Sequence, residues 1–447
     1  MTTTTQVRYT VDPPSIQPTL KKHILTDGFH VLIDLEKSHG SWIYAAAAKR
    51  EILDFYSYFA TLPIGHNHPR LTGDPEFMAA LTRAAIANPA NSDIYSGEYA
   101  AFVETFAELA KPAELRYLFF VAGGALAVEN ALKTAFDWKV KHNQAAGRGE
   151  LGRQVIHFKE AFHGRSGYTL SLTNTDPTKT DAFPKFDWPR ITNPKLEFPI
   201  TPEVELRTAE LERQAVAEIE RAFAENPHDV AAIVIEPIQG EGGDNHFRTE
   251  FFQELRRLAD EHEAMLIFDE VQTGFGLTGK MWAYEHFGVV PDIVAFGKKT
   301  QVCGIMVGPR VDDVPDNVFH VSSRINSTWG GNLVDMVRCA KYLEVVRDEN
   351  LVENAAKMGE RLISGLQDLA RRHPIVTNVR GRGLLTAFTL PSPEIRSKLR
   401  QTLWDTGLAT LPSWPSSIRF RPCLTVNAAE VDRALELLDE GLRKVGA

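Results

Sequence analysis

The chain has 447 residues, more than one simple core holds, so two or three packed units are expected. Hydrophobic residues make up 43% and charged residues 24%, the balance of an ordinary globular protein, and the mild net charge of −9 argues against a nucleic-acid or anionic-membrane surface. The widely spaced Cys303, Cys339 and Cys423 form no Cys-x-x-Cys pair, which excludes a disulfide framework or cysteine zinc site and fits a reducing cytoplasm.

From the N-terminus, Met1-Thr2-Thr3-Thr4 opens no apolar core, so no secretory signal is expected. No uncharged stretch reaches the roughly 18–20 residues of a membrane span. Residues 1–20 read as a loose polar arm. Between 29 and 60, short β-type runs (29–35 and 41–44) alternate with turns and predict a small β-rich unit. His66-Asn67-His68 has no Cys, Asp or Glu cluster beside it and reads as a loop, so no metal is expected.

From about 80 to 330 the pattern alternates strand and helix. Strands are predicted over 116–121, 154–158, 230–236, 265–269, 292–296 and 305–308, with helices over 124–138, 203–225 and 250–263. Such alternation predicts an α/β fold with a mostly parallel sheet covered on both faces. Segment 174–201, rich in Thr, Pro and Asp, is a long loop, and long loops in compact domains are usually functional or mobile. Helices over 333–347 and 351–372, strands over 383–390 and 417–420, and a terminal helix opening at Asn427-Ala428-Ala429-Glu430 complete the chain. These textures divide it into an arm with part of a small unit (1–79), a large unit (80–332) and a C-terminal small unit (333–447).

Chemistry-bearing residues fall at the strand ends, where ligands bind in open α/β sheets. Asp269 ends one strand, and Lys298 and Lys299 follow the next. A buried Asp and a buried Lys there are costly unless something uses them. Pyridoxal phosphate uses both: a carboxylate pairs with its ring nitrogen, and an amine forms a Schiff base with its aldehyde. A structural salt bridge is the bland alternative. Ala122-Gly123-Gly124-Ala125, between strand and helix, offers free amides to an anion, although glycine is common at such turns for steric reasons.

Phe162-His163-Gly164-Arg165 places a ring able to stack on a planar cofactor beside an arginine able to clamp a carboxylate; a core Phe and a surface Arg are the alternatives. Glu236 to Asp244, with Glu241 between glycines, is a polar lip over a pocket or a solvated turn. Ser327-Thr328 is a second phosphate contact or a helix start. Arg419 and Arg421 share one strand face, and either one binds a substrate carboxylate or both are solvated.

Together these pieces resemble the class III (ω-) aminotransferases of fold type I, over nearly the whole chain. The marks are Phe162-His163-Gly164, Glu236-Pro237-Ile238-Gln239-Gly240-Glu241, Ile267-Phe268-Asp269-Glu270-Val271-Gln272, Lys298 and Thr328. Within the class, the runs 162–174, 183–190, 296–303 and 326–332 resemble the branch acting on the ε-amine of L-lysine more than the ornithine or 4-aminobutyrate branches. The resemblance implies Lys298 as the cofactor lysine, Asp269 at the pyridine nitrogen, Gln272 on the phenolic oxygen, Val271 beneath the ring and Phe162 above it, with His163 alongside. It puts Gly124 and Ala125 on the phosphate through their backbone, joined by Thr328 from a partner subunit, hence a homodimer. The usual Ser-Gly-Ala-Glu-Ala turn is Gly123-Gly124-Ala125-Leu126-Ala127 here, so one hydroxyl is lost.

Lys298 is preferred to Lys299 on two grounds. It lies 29 positions after Asp269 (298 − 269), and adjacent strand residues face opposite ways. The implied reaction is ping-pong transfer of the ε-amine of L-lysine to 2-oxoglutarate. Arg165 would take the lysine carboxylate, Asn326 would line the substrate site, and Arg421 would take the 2-oxoglutarate carboxylate, with Glu241 masking Arg421 while lysine is bound. Rivals are an ornithine, acetylornithine or 4-aminobutyrate aminotransferase, a non-enzymatic cofactor-binding protein, and a metal enzyme built on His66, His68 and His163.

Overall fold

The computed structural model of the protein describes residues 9–29 and 31–446. Its strands are β1 Ile33–His39, β2 Trp42–Ala45, β3 Arg50–Asp54, β4 Tyr117–Val121, β5 Gln154–Phe158, β6 Arg190–Ile191, β7 Val230–Ile235, β8 Met265–Asp269, β9 Ile293–Phe296, β10 Cys303–Val307, β11 Thr377–Arg382, β12 Leu385–Thr389, β13 Leu408–Ala409, β14 Leu411–Ser413 and β15 Ser417–Phe420. The longer helices are α1 Pro13–Leu20, α2 Pro75–Ala87, α3 Gly97–Leu109, α4 Gly124–Ala145, α5 Pro202–Glu225, α6 Thr249–Glu261, α7 Leu333–Asp348, α8 Leu351–Arg372, α9 Pro393–Thr406 and α10 Ala428–Gly446.

A seven-stranded sheet in the order β4-β10-β9-β8-β7-β5-β6 is the centre of the molecule. From β9 to β6 every neighbour pairs in parallel, while β10 runs antiparallel to β9 and β4. The expected mostly parallel sheet is therefore present. Strands β7 and β8 are buried along their whole length, as strands covered on both faces must be. Leu266 and Phe268 share a core with Phe251, Phe252 and Leu255 of α6. Met265 and Ile267 point the other way, into a core with Ala127, Ala131 and Ala135 of α4. Each fully buried side chain of this size stabilises the fold by about 1.5–3 kcal/mol.

Two four-stranded sheets flank this centre, β1-β2-β3-β13 and β11-β12-β15-β14. Strand β13 pairs with β3 in parallel, so residues some 350 positions apart close one sheet (408 − 53 = 355). Helix α7, expected to open the C-terminal unit, also packs on α2 and α3.

Several elements depart from expectation. Residues 13–20 of the polar arm form α1; the start of the arm, 1–8, lies outside the described residues. The first strand begins at Ile33 rather than 29, because Phe29 is drawn into a side-chain stack on Trp404, with ring centroids 4.7 Å apart. Helix α4 runs seven residues beyond 138, because the polar stretch that seemed to end it buries Lys139. The ammonium there donates to His262 O and Glu263 O at 3.1 and 2.6 Å. The run 383–390 is strand only from Leu385, since Gly383 turns the chain from β11 with a φ of +52°. The terminal helix has its expected capping box: Asn427 N donates to Glu430 Oε2 and Glu430 N to Asn427 Oδ1, each at 3.0 Å. No helix among the described residues is long and apolar enough to cross a membrane.

Candidate active site

The carboxyl ends of β4, β5, β7, β8 and β9 lie along one edge of the large sheet, and the loops that follow them line a cavity of about 310 Å³. Gly124, Ala125, Phe162, His163, Arg165, Asp269, Val271, Gln272 and Lys298 all border it, together with Gly164 and Glu236. Of the expected site residues, Glu241, Asn326, Thr328 and Arg421 do not.

The floor is a network of buried carboxylates and a histidine. Asp269 Oδ1 accepts the Val271 amide at 3.0 Å, and Oδ2 pairs with His163 Nδ1 at 2.8 Å. Burial alone would strip the proton from His163, but Asp269 and Glu236 outweigh it and hold its pKa above the ordinary value. Its Nε2 is buried without a protein partner. Glu236 accepts the amides of Phe162 and Gly240, each at 2.9 Å. Burial pushes its pKa up to about 7, with His163 opposing and Asp269 reinforcing the shift.

Lys298 does not sit on a strand. Strand β9 ends at Phe296, and Lys298–Thr300 is a turn of 3₁₀ helix, so the expected strand alternation is not what separates the two lysines. Lys298 instead takes a left-handed φ of 53°, a conformation that costs a non-glycine residue about 1–3 kcal/mol, and it lines the cavity. Burial lowers its pKa, with Asp269 pulling the other way. Lys299 turns into the protein, where its Nζ donates to Gln272 O at 2.8 Å.

Close approach explains several glycines here. A Cβ on Gly164 would lie 2.5 Å from Ala125 Cβ, and one on Gly124 would lie 2.8 Å from Val271 Cγ1. Helix α4 starts after Gly123 with no side-chain cap, so its first amides are left to whatever occupies the cavity.

The mouth is built from loops and from the C-terminal sheet. Arg380, fully buried, donates from Nε to Asp244 O at 2.9 Å and so ties the 240–244 loop to β11. Trp414 N donates to Glu241 O at 3.1 Å. Glu241 Oε2 accepts from Arg419 Nη2 at 2.6 Å, and Oε1 pairs with Lys179. Burial works against ionisation of Glu241, but Arg419 and Lys179 prevail and hold its pKa below the usual range.

This geometry corrects the expected pair. Glu241 masks Arg419, not Arg421: Arg421 is fully buried one step beyond β15 and pairs with Asp244. Both arginines do point to one side, since Gln272 Oε1 accepts from Arg419 Nη1 at 3.2 Å and from Arg421 Nη2 at 3.1 Å. With its oxygen engaged by the arginines, Gln272 keeps the Nε2 donor for other partners, and the residue borders the cavity.

Arg165 is exposed at the rim. Asn326 and Thr328 are exposed on a segment held to the 91–92 turn, with Ser92 Oγ donating to Thr328 O at 3.1 Å. That anchoring keeps Asn326, expected in the substrate site, out of this chain's own cavity. His66 is occupied by Asp54 at 3.0 Å, His68 caps the turn at Arg70 N at 3.3 Å, and His163 faces Asp269. Among the described residues no group of three or more His, Cys, Asp or Glu could hold a metal.

Sequence reasoning missed roles for Glu236 and Lys179 and left Arg419 as one of two candidate arginines. Glu236 ends a buried strand run as Asp269 does, which is a usable signal. Arg419 was visible as the strand-face partner of Arg421. Lys179 had no signal beyond the length of its loop.

A strand-end aspartate, a lysine on the turn after the next strand, an aromatic ring at the cavity wall and an uncapped helix start define a site for a phosphorylated aldehyde cofactor. The family model Aminotransferase class-III matches residues 26–442, and the chain belongs to this family. It is a transaminase, and its cofactor is pyridoxal 5′-phosphate. It is 52% identical over 432 residues to the L-lysine-epsilon aminotransferase of Mycobacterium tuberculosis, covering 96% of each chain. It is 49% identical over 437 residues to that of Amycolatopsis lactamdurans, covering 97% of each. The solved structure of lysine aminotransferase from M. tuberculosis superposes with a TM-score of 0.95 at 52% identity, covering 97% of this chain and 100% of that one.

The residues present fit the cofactor. The cavity brings together a carboxylate, an amine, the Gln272 amide and open helix amides at one end. The glycines at its wall leave no room for side chains there.

Proposed function

We propose that the chain transfers the ε-amino group of L-lysine to 2-oxoglutarate, giving glutamate and 2-aminoadipate 6-semialdehyde, which cyclises with its own α-amine. The observation that carries this reading is the masked arginine at the cavity mouth, Arg419 under Glu241. Lysine reacts at its far end, so the site near the reacting carbon must accept an uncharged methylene chain. A bare buried arginine facing that chain would be an uncompensated charge, and the Glu241 pair removes it. 2-Oxoglutarate reacts beside its own carboxylate and needs a cation at that place, which Arg419 becomes once Glu241 turns away. Arg165 at the rim suits the distant carboxylate of lysine.

When bound, pyridoxal 5′-phosphate supplies the carbonyl that takes up the amino group and the ring that withdraws electrons from the substrate carbon. Asp269, oriented by His163 and the Val271 amide, would be the carboxylate that pairs with the ring nitrogen. Gln272 would donate to the phenolic oxygen, Phe162 and Val271 would pack on the ring, and the Gly124 and Ala125 amides would hold the phosphate. Lys298 Nζ holds the cofactor and moves the proton at the substrate ε-carbon. Its depressed pKa keeps a larger share of the amine free to accept that proton.

The working assembly in this reading is a homodimer in the cytoplasm. Thr328 and Asn326, outside their own cavity, enter the partner's site, Thr328 at the phosphate and Asn326 beside substrate. An amine-donor panel with 2-oxoglutarate tests the proposal: L-lysine should exceed ornithine, acetylornithine and 4-aminobutyrate in kcat/KM. A higher value for any of those three overturns it.

A further inference from the structure

Lys179 has no part in the reading above, although it touches the residue on which that reading turns. It belongs to the 174–201 loop, on the 3₁₀ turn Pro177–Lys179, where Asp176 Oδ1 accepts the Thr178 amide at 3.0 Å. Its ammonium pairs with Glu241 Oε1 and stands 5.5 Å from the centroid of the Phe162 ring. Glu241 is therefore bridged between two cations, Lys179 on one oxygen and Arg419 on the other.

The two cations differ. The Arg419 side chain is 3% exposed and also donates to Gln272, so it is fixed in place. Its Nε is buried without an acceptor among the described residues. Lys179 is 16% exposed on a flexible four-carbon stem, and Glu241 is 26% exposed between them. A carboxylate that simply left Arg419 would be a partly buried charge without a partner, which disfavours leaving.

Building on the proposed lysine and 2-oxoglutarate chemistry, we propose that Lys179 is a positioning residue: it retains Glu241 when the carboxylate of the second substrate takes Arg419. Glu241 then turns about its Lys179 contact and is never released uncompensated. The Phe162 ring face holds the ammonium near its place while the carboxylate moves. In the lysine half-reaction Glu241 stays on Arg419, and Lys179 matters less.

Steady-state kinetics of the full-length holoenzyme with both substrates tests this, using Lys179→Gln, Lys179→Arg, Glu241→Gln and the Lys179→Gln/Glu241→Gln double variant. Lys179→Gln should raise the KM for 2-oxoglutarate about two- to fivefold, the scale of a part-exposed ion pair, with a clearly smaller change in the KM for L-lysine. Lys179→Arg should restore the 2-oxoglutarate KM. With Glu241→Gln already present, Lys179→Gln should add nothing. Equal shifts in both KM values, no rescue by arginine, or additive effects in the double variant overturn the role of Lys179. A wild-type enzyme inert with L-lysine and 2-oxoglutarate overturns the functional reading itself, a result distinct from any of these.

Discussion

The floor and the mouth of the cavity are built on different principles. Floor groups stand at the ends of buried strands, and their partners are backbone amides and one another: Asp269 with His163 and the Val271 amide, Glu236 with the Phe162 and Gly240 amides. Mouth groups come from loops and a second sheet, and they pair charge with charge across part-exposed space, as in Lys179–Glu241–Arg419. Those amides lie in the turns that leave β5, β7 and β8, and the buried strands before them hold the turns in place. An ion pair at the rim can exchange one carboxylate for another at small cost. A transaminase needs both properties, because its proton chemistry is the same in each half-reaction while its two substrates differ.

The largest effect belongs to the floor. Lys298→Ala should lower turnover by several orders of magnitude with the fold intact, while Lys299→Ala should retain most of the cofactor absorbance. Single-turnover absorbance of both variants checks this, and a Lys298→Ala protein with normal turnover would sink the assignment.

Asp269→Ala should reduce turnover by about 10²–10⁴ and also destabilise the protein, since His163 is left buried beside Glu236 alone. Turnover and urea unfolding of the same preparation measure the two effects.

The neighbouring arginines sharpen the contrast further. Arg421→Ala strands the fully buried Asp244 and should cost about 3–5 kcal/mol of stability. Arg419→Ala should cost less stability, because Glu241 keeps Lys179, but should impair the 2-oxoglutarate half-reaction more than the lysine half-reaction. Chemical denaturation with single-turnover kinetics separates them. Equal stability losses would mean that the two arginines share one role.

The smallest effect is a pH dependence. Because the folded-state pKa of Glu236 is raised to about 7, the native state holds a proton that the unfolded chain releases near the ordinary carboxylate value of about 4.3. This group therefore makes stability fall as pH rises from there towards 7. The difference in unfolding free energy between wild type and Glu236→Gln should change in that window and level off above it. A difference that does not vary with pH would mean that Glu236 is ionised throughout.

How much of this was legible beforehand differs between floor and mouth in the same way. Runs such as 230–235 and 265–269 are apolar from end to end, and hydrophobic burial makes such runs strands of a covered sheet wherever they occur. A charged residue at the end of such a run is conspicuous, which is why Asp269 and Lys298 stood out. The terminal helix was equally plain, because its capping box is local.

The turn at Lys298 was not legible, since a left-handed residue that is not glycine leaves no mark in the pattern. The choice between Arg419 and Arg421 was not legible either, because alternation puts both on one face and only position along the strand decides which meets Glu241. Lys179 reaches Glu241 across 62 residues (241 − 179), and Arg380 reaches the Gly243 and Asp244 carbonyls from a different sheet.

The sequence by itself thus determined the α/β sheet and the strand-end cluster, because these follow from periodicity and from the cost of burying charge, while the chemistry that cluster serves came from its resemblance to the class III aminotransferases. Only the tertiary structure decided which arginine is masked, what backbone turn brings Lys298 to the cavity and what holds Glu241. Those pairings join segments far apart in the chain, and a side chain's partner is set by where the packed sheets bring it.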